Sequence, residues 1–135
     1  MNTDGTIRVL LVGGSDASMQ DISDALGDGA GVEVVGETGC GNEAVIATGE
    51  LSPDVVLVLV DSLISEMDGI DTTCAIIETR PWIRVVVITR SIVRYLVPAV
   101  KAGAAGIISL EAGLDEVLLA IRRVHQWASY SLSAQ

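Results

Sequence analysis

Asp54-Val55-Val56-Leu57-Val58-Leu59-Val60-Asp61-Ser62-Leu63-Ile64-Ser65-Glu66-Met67-Asp68-Gly69 is the stretch that decides the fold. Its branched apolar run, Val55 to Val60, is too short for a helix and lacks alternation with polar residues, so it reads as a strand buried on both faces. Such a strand belongs at the centre of a parallel sheet. Asp61 stands where that strand ends, and open α/β sheets gather ligands and chemistry just outside the carboxyl ends of their strands. A functional site in this chain starts there.

Working outward, Ile7 to Val12 is a second buried-strand pattern that runs into Gly13, Gly14 and Ser15. Ser15 or Asp16 can cap the helix that follows, whose Met19, Ile22 and Leu26 recur at helical spacing before Gly27 to Gly31 closes it. Val32 to Val35 is a short strand. Asn42 opens a helix with Ala44, Ala47 and Leu51 facing inward, and Pro53 forbids its continuation. Beyond the central strand, Ile70, Thr73 or Cys74, and Ile77 form a third helix that stops before Pro81. Val85 to Ile88 is the fourth strand, ending in Thr89. Ser91 to Ala102 reads as a helix, which Pro98 in its interior should kink or cause to start late. Gly103 ends it, Ala105 to Ser109 is the fifth strand, and Leu114, Val117, Leu118, Ile121 and Val124 stripe the last helix. Strict alternation of this kind implies right-handed crossovers and an α/β fold: a flavodoxin-like (βα)5 three-layer sandwich with a parallel sheet of order 2-1-3-4-5. Its switch point, between strands one and three, brings Gly13 and Gly14 beside Asp61.

Composition bounds the function. The 135 residues suit one domain with a core of Val, Ile, Leu and Ala, since Phe is absent and half the residues are hydrophobic. Residues 1–6 are expected to be a disordered N-terminus, 7–127 the folded domain, and 128–135 a tail or the start of a linker. A net charge of −10 with only eight Lys and Arg argues against direct binding of nucleic acid. Cys40 and Cys74 lack metal or disulfide spacing and read as small, buried or half-buried residues. No apolar run approaches a membrane span and Met1 to Thr6 lacks the basic start of a signal peptide, so a cytoplasmic protein is expected.

Several of these segments together resemble the receiver domain of two-component response regulators, above all receivers with a helix-turn-helix output. They are Ile-Arg-Val-Leu-Leu-Val from Ile7, Val-Glu-Val-Val-Gly-Glu from Val32, Ser-Pro-Asp-Val-Val-Leu from Ser52, Met-Asp-Gly from Met67 and Ala-Gly-Ala-Ala-Gly from Ala102. The likeness covers Ile7 to about Val124, and Tyr130-Ser131-Leu132-Ser133 is similar to the start of the linker to such an output. The resemblance implies phosphoryl transfer from a histidine kinase to a strand-three Asp. The site would hold Mg²⁺ through two acids ending strand one, with a strand-five Lys and a strand-four Ser or Thr on the phosphoryl oxygens.

Matched residue by residue, the strand-one acids fall on Gly13 and Gly14, the Lys on Leu110, and an aromatic that often reports the active state on Ile107. Thr89 alone matches, as the candidate phosphate contact. Asp61 is the candidate phosphoacceptor when counted back from Met67-Asp68-Gly69, but counting forward from Ser52-Pro53-Asp54 puts Leu59 there. Two extra residues lie between, and if they follow the strand Asp61 sits about 6.6 Å beyond the pocket. If they lie within or before the strand, the parity of its side chains is kept and Asp61 points inward.

Three readings follow. The preferred one is an atypical receiver with a degenerate site at Gly13, Gly14, Leu110 and Ile107, holding no metal or other cofactor, not an enzyme, and acting through protein contacts. Its partners would be a second copy in a homodimer, an output domain or other protein, and a histidine kinase. The second is a divergent receiver phosphorylated on Asp61, with Asp16 or Glu66 recruited for Mg²⁺. The third is a flavodoxin-like module that binds a small anionic ligand at Gly13 to Ser15. Asp61, Glu66 and Asp68 also fit plain solvated loop acids, His125, Arg90 and Arg94 fit surface positions, and no Ser-His-Asp arrangement is evident. The resemblance implies interaction faces at helix four, strand five and helix five, or at helix one with helix five. Leu119, Ala120 and Trp127 lie off the inward stripe and suit a dimer patch.

Overall fold

The computed structural model describes residues 5–13, 17–27, 31–61 and 66–134, with the side chains of residues 17, 18 and 127–134 outside that description. Strands β1 (Ile7–Val12), β2 (Val32–Thr38), β3 (Val55–Leu59), β4 (Arg84–Thr89) and β5 (Gly106–Ser109) form one parallel sheet of order β2-β1-β3-β4-β5. Helices α1 (Ala17–Leu26), α2 (Gly41–Leu51), α3 (Gly69–Thr79), α4 (Ile92–Ala102) and α5 (Leu114–Ala134) alternate with the strands. This is the expected flavodoxin-like architecture.

Two apolar layers sandwich the sheet. On one face Leu11, Leu57, Leu59 and Ile88 pack with Met19, Ile22 and Leu26 of α1 and Val117, Ile121 and Val124 of α5. On the other, Leu10, Val12, Val56, Val58 and Val87 meet Ala44 of α2, Ile76 of α3 and Ala99 of α4. Every side chain of β3 is fully buried, which is why its sequence does not alternate. Each such side chain contributes about 1.5–3 kcal/mol relative to exposure.

The entrance of β3 is pinned. Arg8 and Asp54 are joined by two bonds: the N–H of Asp54 donates to the carbonyl of Arg8 at 2.8 Å, and the N–H of Arg8 donates to Oδ2 of Asp54 at 2.8 Å. Nη1 of Arg8 also donates to the carbonyls of Leu51 and Ser52, at 2.7 and 3.1 Å, closing the end of α2. From this anchor the register runs without a shift, Val55 opposite Val9 through Val58 opposite Val12, and Leu59 opposite Ile88.

Some elements differ from the expectation. β3 ends at Leu59, although the N–H of Val60 still donates to the carbonyl of Ile88 at 3.1 Å before the chain turns. β2 extends to Thr38, paired with β1 through Val12, and its register with β1 shifts between Val9 and Leu10. β5 begins at Gly106, one residue later, and a 3-10 turn, Leu110–Ala112, follows it. The buried face of α2 is Gly41, Ala44 and Thr48, with Ala47 and Leu51 half-buried. That of α3 is Gly69, Thr72, Thr73 and Ile76, with Ile70, Cys74 and Ile77 half-buried. The two threonines tolerate burial because their hydroxyls donate back to the carbonyls of Asp68 and Gly69, each at 2.8 Å. α4 does not start late: it begins at Ile92 and carries Pro98 in its interior, so the carbonyl of Arg94 lacks its helical donor. Leu114 is exposed at the start of α5 and leaves the inward stripe to Val117, Ile121 and Val124, with half-buried Leu118 packed against the same core. α5 continues to Ala134, so position 127 falls inside a helix. Residues 1–4, within the expected N-terminal tail, lie outside the described residues. Among the described residues no helix is long and apolar enough to cross a membrane.

Candidate functional site

The carboxyl edge of the sheet collects the predicted residues: Gly13 after β1, Leu59 to Asp61 at the exit of β3, Thr89 ending β4, and Leu110 after β5. Of these, Asp61 and Thr89 meet directly. Thr89 is fully buried, and its hydroxyl donates to Oδ1 of Asp61 at 2.6 Å. The backbone N–H of Arg90 donates to Oδ2 of Asp61, also at 2.6 Å. The N–H of Ser91 in turn donates to Oγ1 of Thr89 at 2.9 Å. A hydroxyl and an amide pointed at one carboxylate form a small anion cradle, and the chain's own Asp61 fills it.

β3 is paired through Leu59 and Asp61 follows the strand but does not lie about 6.6 Å past the pocket, because the chain turns after Val60 and brings its carboxylate to the end of β4. Leu59, the residue reached by the forward count, is 0 % exposed and its side chain belongs to the α1 and α5 face of the core. Asp61 lies two residues beyond it, half-buried and turned to the end of β4.

Gly13 is buried, and its N–H is spent on the carbonyl of Thr38 at 2.9 Å. That leaves the amide closed to an anionic ligand. Gly14, Ser15 and Asp16, and with them the rest of the proposed anion loop and one recruited acid, lie outside the described residues. Leu110 is half-buried against the same apolar cluster as Leu59, and Ile107 packs against the opposite one.

The remaining acids already have structural duties. Glu66, in a left-handed conformation with φ of 73°, accepts a hydrogen bond from Nδ2 of Asn42 across the gap to α2. Beside it, Met67 lies over Gly41, where a Cβ would also stand 2.7 Å from Oγ1 of Thr72. Asp68 caps α3, its Oδ1 accepting from the N–H of Asp71 at 2.7 Å. Oε2 of Glu43 accepts from the hydroxyl of Thr38 at 3.1 Å. Glycine supplies no side-chain donor at positions 13 and 14, and no group of three His, Cys, Asp or Glu able to hold an ion occurs among the described residues. Among the described residues, the side chains at these positions do not fit the Mg²⁺ of a standard receiver, which requires carboxylates beside the phosphoryl oxygens.

Elsewhere, Cys40 and Cys74 are half-buried free thiols, with Cys74 donating to Oε1 of Glu78 at 3.5 Å. The guanidinium of Arg94 lies 5.4 Å from the centroid of the Tyr95 ring. Arg90 is exposed and His125 half-buried. Leu119 is exposed, whereas Ala120 packs against the core and so does not join an outward patch; the side chain of Trp127 lies outside the described residues. The Arg8 to Asp54 clamp and the Asn42 to Glu66 bond were not foreseen. Each joins residues far apart in sequence, where no spacing signals the contact.

Comparison with known proteins agrees with this geometry. Residues 9–122 match the family described as the response regulator receiver domain. Response regulator GacA of Pseudomonas aeruginosa is 35 % identical over 125 residues, covering 92 % of this chain and 58 % of that protein. Response regulator protein VraR of Staphylococcus aureus is 33 % identical over 125 residues, covering 92 % of this chain and 59 % of that protein. The chain thus spans somewhat over half the length of these curated relatives. Among solved structures, the response regulator domain of Thermotoga maritima CheB superposes with a TM-score of 0.78 at 25 % identity, covering 90 % of this chain and 97 % of that one. The signal receiver domain of an HD domain-containing protein from Pseudomonas fluorescens shares the fold with a TM-score of 0.83 at 16 % identity, covering 100 % and 98 %.

Proposed function

The chain belongs to the response regulator receiver domain family, and from that premise we propose that it is a receiver module that signals through protein contacts, without Mg²⁺-dependent phosphorylation of an aspartate. One observation carries the reading: the register of β3 puts fully buried Leu59 at the strand's last paired position, while the carboxylate of Asp61 is held by Thr89 and Arg90. The half-buried Leu110, packed on the cluster that contains Leu59, supports it by extending the apolar core over ground where phosphoryl transfer needs charge. On this reading the module is cytoplasmic and not an enzyme. Its partners are a linked output domain, a histidine kinase, and a second copy meeting it at the exposed Leu119 of α5.

The half-buried carboxylate of Asp61 beside Thr89 favours one second reading, a divergent phosphoacceptor. The intact mass after incubation with acetyl phosphate and Mg²⁺, with Asp61→Asn alongside, separates the two. No phosphate adduct is expected. An adduct that vanishes in Asp61→Asn would establish the phosphorylated receiver instead.

A further inference from the structure

Helices α2 and α3 lie side by side and are tied at both ends. Near their starts Met67 lies over Gly41, and near their ends Nη2 of Arg80 donates to the carbonyl of Gly49 at 3.3 Å. The face that the pair turns outward has an apolar centre. At about 100° per residue Ile46 stands on the far side of α2 from buried Ala44, and it is 59 % exposed. Half-buried Ala75 of α3 lines the same seam. At the lower end Trp82 is 65 % exposed. Its turn is closed by the N–H of Ile83, which donates to the carbonyl of Arg80 at 3.0 Å, with Pro81 at the second place. The Arg80 guanidinium lies 5.7 Å from the ring centroid. An indole held this firmly loses little entropy on binding.

Each helix sets two acids beside this centre. Glu43 and Glu50 stand three residues before and four after Ile46, Asp71 and Glu78 stand seven apart on α3, and all four are exposed. Each pair spans about 10 Å along its helix, and packed helix axes lie about 8–10 Å apart, so the carboxylates form two rails with Ile46 and Ala75 between them. Two are already oriented, Glu43 by the hydroxyl of Thr38 at 3.1 Å and Glu78 by the thiol of Cys74 at 3.5 Å. Residues 1–79 hold every acid of the chain except Glu111, Asp115 and Glu116, but a single cation, Arg8. Its guanidinium is spent on the carbonyls of Leu51 and Ser52. An apolar centre between acidic margins is the complement of a helix with an apolar face and cationic margins.

We propose that the outward face of α2 and α3 is a docking surface for a cationic amphipathic helix of a partner protein. Its apolar line rests on Ile46 and Ala75 and ends against Trp82, while Lys or Arg side chains two turns apart face Glu43 and Glu50 on one margin and Asp71 and Glu78 on the other. A second copy does not fit, because two such faces set their carboxylates against each other. Nucleic acid and an anionic membrane are repelled by the same rails and by the net charge of −10. Docking here requires Asp61 neither phosphorylated nor unphosphorylated, so the mass measurement above leaves it untouched.

The test uses the whole chain and a labelled synthetic helix of about four turns, with leucines along one line and lysines seven residues apart on each margin. A second peptide carries glutamates in place of the lysines. Fluorescence anisotropy should show binding of the lysine peptide, with the glutamate peptide weaker by roughly tenfold or more. Ile46→Ser with Trp82→Ala should weaken the lysine peptide by roughly tenfold. Glu50→Gln with Asp71→Asn should do the same, whereas Glu111→Gln with Glu116→Gln, which removes equal charge elsewhere, should leave binding unchanged. All six positions are exposed, so the variants leave the core intact. No binding of the lysine peptide, equal loss from the two charge-removing pairs, or binding that survives Ile46→Ser with Trp82→Ala would overturn the proposal. So would a dimer in light scattering that Ile46→Ser makes monomeric, or capture by phosphatidylserine vesicles without peptide binding.

Discussion

The hydroxyl of Thr89 bonds the carboxylate of Asp61 at 2.6 Å and at the same time accepts the N–H of Ser91, so a loop acid beyond β3 holds the corner from which α4 departs. Both partners of this buried hydroxyl lose a bond together. Thr89→Val, which keeps the shape, should therefore lower stability by about 1–3 kcal/mol. Thr89→Ser should cost less. Urea denaturation of the two variants measures the difference.

Gly69 and Gly113 should respond to alanine for different reasons. A Cβ at Gly69 would lie 2.8 Å from Cα of Val60, backbone that cannot swing aside, so Gly69→Ala is expected to cost about 1–3 kcal/mol through displacement of the β3 exit. At Gly113 nothing lies within 4 Å, but φ is 95°, so the cost there, of similar size, comes from the backbone alone. A chemical-shift comparison should show Val60 moving in the first variant and not in the second.

Pro98 removes a hydrogen bond from the interior of α4. Pro98→Ala should return a donor to the carbonyl of Arg94, raise helicity by circular dichroism and stabilise the domain by roughly 1–3 kcal/mol. Unchanged ellipticity would show that the helix had already absorbed the defect.

The Cys74 thiol titrates above its usual range, first because it donates a hydrogen bond to Glu78, then through burial and the charges of Glu78 and Asp71. A raised value means less thiolate at a given pH and slower alkylation. Glu78→Gln removes the opposing charge, so iodoacetamide should modify Cys74 faster in that variant at about pH 8. The rates should converge once the pH exceeds both values. Peptide mass mapping distinguishes Cys74 from Cys40.

The sheet was legible because β1, β3 and β4 are buried on both faces and write that burial as runs of Val, Leu and Ile, Val9 to Val12, Val55 to Leu59 and Val85 to Ile88. Helix boundaries followed from Pro53, Pro81 and Gly103 in the same way. The inward face of α3 was less legible, since Thr72 and Thr73 look polar until their hydroxyls are seen to bond their own helix. At the site, topology placed Asp61 and Thr89 at the same edge of the sheet, but neither their hydrogen bond nor the register of β3 could be read from the sequence. Two local counts disagreed, and the arbiter, Arg8 bound to Asp54 and to the end of α2, lies more than forty residues away in sequence.

That clamp has a counterpart at the other end of the strand. The entrance of β3 is tied to Arg8, its pairing stays in step through Leu59, and its exit is held in turn by Ile88, Thr89 and Arg90. The segment is thus fastened at both ends, by the amide of Arg8 bound to its acid where the strand enters the sheet and by a hydroxyl bound to its acid where the chain leaves it.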